Sequence, residues 1–599
     1  MRPDSEQRHT SVASVLQCRR RASVASAAPR CFGTSVPKPS GEAASVASVP
    51  ARCFGTSVPK LEWRWPALFA ILFMLATCLP YLFALFIKQP GWYYSGFLTN
   101  PDDHNVYLSY MRQARDGCVF FADQFTTEPQ PARVINLLWL ALGLFARVTH
   151  LALPVVYHLA RLASGWLLLV AIYWLAAQAT ASITARRLAL ILTATASGFG
   201  WLFHVQGDQL HPIDFGPGLV MPEAITFLTL LLNPLFAFSM FLMILTFGLA
   251  AHAFATGSVR SAALAGITAL VLGNVHSYDL IPVAVIIAVY VIVQVITRHA
   301  RPTALILAVI IAAIAAPALI YQYWLRTIGD MTIIVKLVSP PAESPPMRWF
   351  ALGLGLPLLL AIIAAIRSVA RASDALRLLI IWLVVGFALV FIPVPFNRKL
   401  AEGLHIPICI LAALSIEPLL LSAPRRALIA AIALVAICLP SNVLYLRRAT
   451  SDLISNNQAY IGNLMPPLYL RPDQYGALRS LSGKASRSDV LFANTFLSNY
   501  APSIAGCRVY LGHWSETLDY TKKIKQLSDF FTAGTPDSRR EAFCREHGIA
   551  YLLSDRSIYD DVFLPPSAQA EGAFDPDRSS WLSKTYQQGD VSVYRVARQ

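Results

Sequence analysis

Long apolar runs recur along this chain and constrain its fold more than any other feature. With 55% of its 599 residues hydrophobic, a soluble fold would have nowhere to bury so much apolar surface. In lipid, every backbone amide must be satisfied within its own segment, so each run is expected to be a helix. The runs fall near residues 66–87, 162–179, 188–203, 224–256, 261–275, 280–297, 303–324, 349–366, 376–392, 404–423 and 427–446. The sequence therefore predicts a mainly α-helical, polytopic membrane protein of about eleven spans, and the 224–256 run is long enough to break near Asn233 and Pro234.

The basic residues indicate how these spans are oriented. The net charge of +15 does not indicate a nucleic-acid partner, because Lys and Arg concentrate in the N-terminal tail and in short loops. Ten of them precede residue 66, and arginine pairs then fall in alternate loops on the same side. The positive-inside rule therefore predicts a cytoplasmic N-terminus and an outer C-terminus in a bacterial inner membrane. This holds if 134–146 is a re-entrant or interfacial helix; if that stretch spans, most arginine pairs lie outside.

The composition divides the chain into three predicted parts. Residues 1–62 are of low complexity, carry the motif "RCFGTSVPK" twice and show no apolar periodicity, which predicts a disordered tail. Residues 63–446 are the predicted transmembrane domain, with a long first outer loop at 88–161. Residues 447–599 are polar and alternate strand-like segments ("DVLFAN", "RVYLG", "IAYLLSD", "VSVYRVA") with helix-like ones ("TKKIKQLSDFF", "DSRREAFCREHG"). They predict a small α/β domain outside the cytoplasm.

An acidic pair opens the first outer loop in the stretch "NPDDHNVY". Its members and the histidine beside them are Asp102, Asp103 and His104. A helix is expected to begin here, with Thr99 or Asn100 as its cap and Pro101 in its first turn. An apolar stripe supports that helix: Val106, Tyr107, Tyr110, Met111 and Ala114. The helix dipole explains one acid but does not require two, so we interpret the pair as functional and held in place by the helix start.

Three further polar groups stand at the predicted outer ends of spans. Glu223 ends the loop 204–223, "GNVHSYD" carries His276 and Asp279, and "PVPFNRKLAEGLH" follows another span. The last stretch supplies Asn397, Arg398 and Lys399. These groups have plainer explanations as a connector, a helix end and snorkelling charges. Ionisable groups at membrane depth are expensive, however, and basic groups on the outer side fit an anionic headgroup or phosphate, so the four groups predict one site.

This layout resembles the GT-C class of membrane glycosyltransferases, which includes protein O-mannosyltransferases and bacterial lipid A aminoarabinose transferases. Such proteins have many spans, an acidic residue or pair shortly after the first span, and often a C-terminal soluble domain outside. The matching residues are Asp102 and Asp103, and the layout covers roughly residues 65–446. The segment "YLGHWSETLDYTKK" at 510–523 is also similar to one in uncharacterised bacterial proteins of this kind, where it has no assigned role.

The resemblance implies an inverting transfer of a sugar from a polyprenyl-phosphate-linked donor to a glycan, lipid or protein acceptor at the outer face. Asp102 or Asp103 would be the base, and Asp103 with His104 would hold a divalent cation, Mg²⁺ or Mn²⁺. Donor and phosphate binding would fall to Glu223, His276, Asp279, Asn397, Arg398 and Lys399. Two other functions stay open: a transporter or flippase of a lipid-linked or anionic substrate, and a non-catalytic scaffold that binds a partner through "GHWSET".

Overall fold

The computed structural model describes residues 59–203, 217–327, 342–456, 458–460, 463–555 and 574–597. The predicted disordered tail lies outside the described residues except for its last four positions. Most of the 204–223 loop also lies outside them, although Glu223 is described.

The described part of the chain is mainly helical. Its helices are α1 (Arg64–Ala76), α2 (Leu79–Ile87), α3 (Pro101–Arg115), α4 (Leu137–Thr149), α5 (Leu153–Ala179), α6 (Ile183–Thr195), α7 (Gly200–Phe203), α8 (Thr226–Leu232), α9 (Pro234–Thr256), α10 (Val259–Val275), α11 (Leu280–Ile296), α12 (Thr303–Thr327), α13 (Met347–Ser368), α14 (Asp374–Leu389), α15 (His405–Ser422), α16 (Pro424–Cys438), α17 (Pro440–Ser455), α18 (Pro472–Leu481), α19 (Thr495–Ile504), α20 (Tyr520–Phe531) and α21 (Asp537–Glu546). Short 3₁₀ helices at Ser277–Asp279 and Asn397–Ala401 precede α11 and α15.

Eight helical segments of the described residues are long and apolar enough to cross a membrane, by length and composition. They are Arg64–Ile87, Leu153–Ala179, Pro234–Thr256, Ser277–Ile296, Thr303–Leu325, Met347–Arg371, Asn397–Ser422 and Pro424–Ser455. The prediction of a multi-pass helical membrane protein is confirmed at this level. Three other predicted spans correspond to α6, α10 and α14, which have 13, 17 and 16 residues. The count of about eleven spans and the orientation therefore stay predictions.

The predicted break in the 224–256 run is confirmed. Helix α8 ends before Asn233, and α9 begins at Pro234. Proline fits this position because it lacks the N–H that would have no intrahelical partner in the first turn. The Asn233 side chain accepts a hydrogen bond from the backbone N–H of Leu235 at 2.9 Å and so caps α9.

Most of the apolar stretch at 134–146 lies in α4 (Leu137–Thr149), which packs against α3 and at 13 residues is shorter than a membrane span. Trp139 of α4 stacks on Tyr107 of α3 with ring centroids 4.7 Å apart. Gly143 allows the close approach, because a Cβ there would overlap Ala114 and the Met111 carbonyl. Helices α3 and α4 of segment 88–161 therefore pack as a pair, and the position of this segment relative to the membrane stays a prediction.

The C-terminal region contains a five-stranded mixed sheet in the order β6-β5-β7-β9-β8. Its strands are β5 (Val490–Phe492), β6 (Arg508–Val509), β7 (Ile549–Asp555), β8 (Leu582–Gln588) and β9 (Val591–Val596). Strand β5 is parallel to β6 and β7, whereas β9 is antiparallel to β7 and β8. The predicted strands and both predicted helices, α20 and α21, are present; α18, α19 and β8 were not predicted.

Four other strands of the described residues lie outside this sheet. They are β1 (Tyr93–Tyr94), β2 (Gln458–Tyr460), β3 (Asn463–Met465) and β4 (Tyr469–Leu470). β2 pairs with β3, and β1 of the first outer loop pairs antiparallel with β4.

The C-terminal region is joined to the first outer loop through many polar contacts. Arg112 of α3 donates to the carbonyl of Ile504 at 2.8 Å, and Lys523 forms a 2.7 Å ion pair with Glu128. A buried apolar cluster also combines Val106 of α3 with side chains of the C-terminal sheet. These contacts place the start of α3 directly against the C-terminal region.

Candidate active site

The predicted helix at "NPDDHNVY" begins as expected. Asn100 caps α3 in a left-handed conformation with φ of 49°, which asparagine tolerates better than most residues, and Pro101 is the first helical residue. The Asn100 side-chain amide donates to the Asp103 carboxylate at 2.6 Å. His104 Nδ1 lies 2.6 Å from the Asn100 carbonyl oxygen. Asn100 therefore fixes the orientation of the Asp103 and His104 side chains.

The two aspartates have different environments, which the sequence did not reveal. Asp102 is 6% exposed and accepts a 2.5 Å hydrogen bond from the side-chain amide of Asn499 in α19. Burial raises the pKa of Asp102 to about 7. The Asp103 side chain, in contrast, is 48% exposed. Asp103 is thus the member of the pair that a substrate can reach.

Asp103 is paired with a histidine from the far end of the chain. His513 Nε2 lies 3.1 Å from the Asp103 carboxylate, and the His513 side chain is 1% exposed. The Asp103 carboxylate can only accept, so His513 Nε2 carries a proton that faces it, and Ser515 Oγ, 3.1 Å from His513 Nδ1, can accept the second proton of the charged ring. This arrangement makes His513 a hydrogen-bond donor to Asp103.

The pair changes the pKa of both partners. Burial alone would raise the pKa of Asp103, but the hydrogen bond and charge of His513 outweigh it and hold this pKa at about 2. Burial alone would lower the pKa of His513, but Asp103 and Asp102 raise it to about 9. Asp103 is therefore ionised at neutral pH.

The loop around His513 adds two more groups beside Asp103. Burial raises the pKa of Glu516, and this carboxyl interacts electrostatically with both Asp103 and Lys399. Trp514 is 44% exposed and lies nearly parallel to the His513 ring, with ring centroids 6.1 Å apart. Glu516 therefore adds a second carboxyl to the loop that holds His513.

The predicted phosphate-binding residues occupy different positions. Arg398 Nε lies 3.1 Å from the Glu223 carboxylate, which joins two of the predicted groups. Lys399 Nζ lies 4.5 Å from the centre of the Tyr278 ring. Asn397 accepts from the Ser344 backbone and donates to the Ile392 carbonyl, so its side chain holds this loop in place.

His276 and Asp279 meet a third residue that sequence reasoning missed. His276 Nδ1 lies 3.1 Å from the Asp279 carboxylate and 3.1 Å from the Glu402 carboxylate. Tyr278 links this cluster to the basic stretch, because its ring lies 5.8 Å from the His276 ring and 4.5 Å from Lys399 Nζ. Glu402 precedes Gly403, whose φ of 78° turns the chain into α15.

The metal assignment to Asp103 and His104 stays a prediction, and the contacts do not favour it. Asp103 is engaged by Asn100 and His513, and His104 Nδ1 by the Asn100 carbonyl. Within the described ranges, the grouping of three or more His, Cys, Asp or Glu ligand atoms that fits a metal ion is His276, Asp279 and Glu402.

Comparisons with known proteins define the fold. No family model matches the sequence, and no curated protein matches it. Among solved structures, an Archaeoglobus fulgidus oligosaccharyltransferase in the apo form matches with a TM-score of 0.53 and 12% identity, over 83% of this chain and 70% of that one. The archaeal oligosaccharyltransferase AglB from the same organism, in complex with an inhibitory peptide and a dolichol-phosphate, matches with a TM-score of 0.52 and 12% identity, over 82% and 69%.

At this level of identity the similarity concerns the fold. The chain has the fold of these membrane oligosaccharyltransferases, which is the GT-C fold that the resemblance implied.

Proposed function

We propose that this protein is an integral membrane glycosyltransferase that moves a sugar from a polyprenyl-phosphate-linked donor to an acceptor at the outer face of the membrane. One observation carries the proposal: an ionised, half-exposed carboxylate, Asp103, lies at the start of α3 in a GT-C fold and is held by His513. The dolichol-phosphate bound by AglB, a protein of similar fold, supports a polyprenyl-phosphate donor.

In the proposed reaction, an acceptor oxygen attacks the anomeric carbon from the side opposite the phosphate. The bond from that carbon to the phosphate oxygen breaks, its electron pair stays on the phosphate, and the configuration inverts. Positive charge develops on the sugar in such transition states. Asp103, kept ionised by His513, stabilises that charge and accepts a hydrogen bond from the acceptor.

Proton transfer to Asp103 would come late in this reaction. A carboxylate whose pKa is about 2 is a weak base toward a free hydroxyl. Once the acceptor oxygen has bonded to the anomeric carbon it becomes strongly acidic, and Asp103 can then take its proton and pass it to water. Asp102, which is buried against Asn499, positions the helix start and does not contact the substrate.

Arg398 and Lys399 are proposed to receive the leaving phosphate. The planar guanidinium of Arg398 is oriented by Glu223 at 3.1 Å, and an oriented guanidinium can bind two phosphate oxygens at once. Lys399, whose Nζ lies 4.5 Å from the centre of the Tyr278 ring, adds a second positive charge beside Arg398 in the chain. Trp514, exposed beside His513, offers an aromatic face to the acceptor.

Purified protein in detergent tests the proposal, because no membrane sides remain and flipping or transport cannot produce a signal. The protein is incubated with a polyprenyl-phosphate-sugar fraction and an acceptor fraction extracted from a deletion strain. A transferase links sugar to the acceptor and releases polyprenyl phosphate. Absence of transfer here, together with lost uptake and unchanged glycans in the deletion strain, would establish the transporter instead.

A further inference from the structure

We propose that His276, Asp279 and Glu402 bind a divalent metal ion, Zn²⁺ or Mn²⁺ by their ligand chemistry, that joins the α10–α11 connection to the segment before α15. The ligand atoms of these three residues all lie within 4.8 Å of one another. This inference does not rest on the proposed function, and it assigns the site to residues other than Asp103 and His104.

The burial of this cluster calls for a positive charge. Asp279 is 0% exposed and Glu402 is 1% exposed. Neither carboxylate makes a hydrogen bond in the described structure, and His276 Nδ1 makes none either. Buried carboxylates without hydrogen bonds are strongly unfavourable, and one imidazole shared at 3.1 Å cannot neutralise two of them.

The side chains are also aimed at each other. Asp279 ends the 3₁₀ helix that runs directly into α11, and its side chain makes no hydrogen bond to the backbone there. It faces His276 Nδ1 instead, at 3.1 Å. Glu402 approaches the same nitrogen at 3.1 Å from a different part of the chain.

The spacing fits metal coordination. Zinc binds imidazole nitrogen and carboxylate oxygen at about 2.0–2.1 Å, so neighbouring ligand atoms of a tetrahedron lie about 3.3 Å apart. Both separations of 3.1 Å involving His276 are close to that edge. One nitrogen and two carboxylates favour Zn²⁺ or Mn²⁺ over Ca²⁺, which needs six to eight oxygen ligands, and over Mg²⁺, which prefers oxygen.

The site would fix the loop that carries the basic residues. Tyr278 lies between the cluster and this loop: its ring centroid is 5.8 Å from that of His276, and Lys399 Nζ lies 4.5 Å above its face. Glu402 directly follows the 3₁₀ helix Asn397–Ala401. A metal bound here therefore sets the position of Arg398 and Lys399 without itself contacting the substrate.

Metal content tests the inference without any assay of transfer. Full-length protein in detergent is dialysed against Zn²⁺ or Mn²⁺ separately, passed through a desalting column and measured by mass spectrometry of metals. We expect about one equivalent in the wild type and in the matched control Asp103→Asn, and near none in Glu402→Gln or His276→Gln. Glu402→Gln should fold without metal, because it removes the repulsion between the two carboxylates.

Thermal unfolding supplies a second readout. We expect EDTA to lower the melting temperature of the wild type and of Asp103→Asn, and to leave that of Glu402→Gln unchanged. A wild type that retains neither metal, or a Glu402→Gln variant that retains as much as the wild type, would overturn the inference; the cluster would then hold a shared proton in place of a metal.

Discussion

Two acid–imidazole clusters in this protein have contacts of the same length but opposite surroundings. His513 Nε2 and the Asp103 carboxylate are 3.1 Å apart, so one imidazole is matched by one acid, and about half of the Asp103 side chain is exposed. His276 is 3.1 Å from Asp279 and from Glu402, and neither carboxylate is exposed or hydrogen-bonded. A balanced and accessible pair can act on a substrate, whereas the unbalanced and buried cluster is the proposed metal site.

Asp103→Asn is expected to have the largest effect on this comparison. Removing a charge that stabilises the transition state and accepts the proton should lower the transfer rate by about 10²–10⁴-fold. The variant should leave the metal content of the other cluster unchanged. The assay is sugar transfer in detergent, with binding of polyprenyl phosphate as a control that should stay near the wild-type value.

Asp102→Asn is the matched variant, because it makes the same replacement of a carboxylate by an amide at the adjacent acid. Because Asp102 is buried against Asn499, we expect a loss of transfer at least about tenfold smaller than that of Asp103→Asn. Equal losses in the two variants would contradict the assignment of the substrate-facing role to Asp103.

Arg398→Ala is expected to weaken the binding of polyprenyl phosphate by about 10–100-fold, because a hydrogen bond to a charged group contributes about 1.5–3 kcal/mol. Arg398→Lys keeps the charge but loses the planar pair of donors, so it should restore only part of the affinity. Titration of the purified protein with polyprenyl phosphate measures both. Wild-type affinity in Arg398→Ala would move the phosphate site elsewhere.

Asn499→Ala should lower the free energy of unfolding by about 1–3 kcal/mol, because it leaves Asp102 and Asn105 without their partner. Ser488→Ala, at an exposed position of the same region, serves as the control and should change stability very little. Thermal unfolding in detergent measures the difference. An Asn499→Ala variant as stable as the control would show that the contact to α3 does not hold the regions together.

The smallest expected effect is a pH dependence of the Asp103–His513 pair. The pKa of His513 is raised to about 9, so its contribution to stability is complete below the unfolded value of about 6.5 and is lost as the pH rises through about 9. The pKa of Asp103 is lowered to about 2, so its contribution is complete above about 3.9 and is lost as the pH falls through about 2. The melting temperature of the wild type should therefore fall more between pH 6.5 and about 9 than that of His513→Gln. Equal falls would show that the ion pair does not contribute to stability.

The sequence predicted those features that depend on neighbouring residues. The cap at Asn100, the break at Asn233 and the strand at 549–555 each follow from local chemistry, and the structure contains all three. The resemblance to the GT-C class followed from the layout together with the acidic pair Asp102 and Asp103.

The partners of the site came from distant parts of the chain. His513 is 410 residues from Asp103, and Asn499 is 397 from Asp102. "GHWSET" was visible as an unusual segment, but one sequence cannot show that it folds onto "NPDDH". Glu402 lies in the stretch "PVPFNRKLAEGLH" but was not among the predicted site residues. An acid at the start of an apolar run needs a counter-charge, and this was the sequence signal for it.

A structure with polyprenyl phosphate bound tests the central claim most directly. We expect phosphate oxygens about 2.7–3.2 Å from the guanidinium of Arg398. The Asp103 carboxylate should face the opening where the sugar would lie, and His513 should still donate a hydrogen bond to Asp103. A phosphate bound away from Arg398, or an Asp103 carboxylate turned away from the lipid-linked group, would contradict the claim.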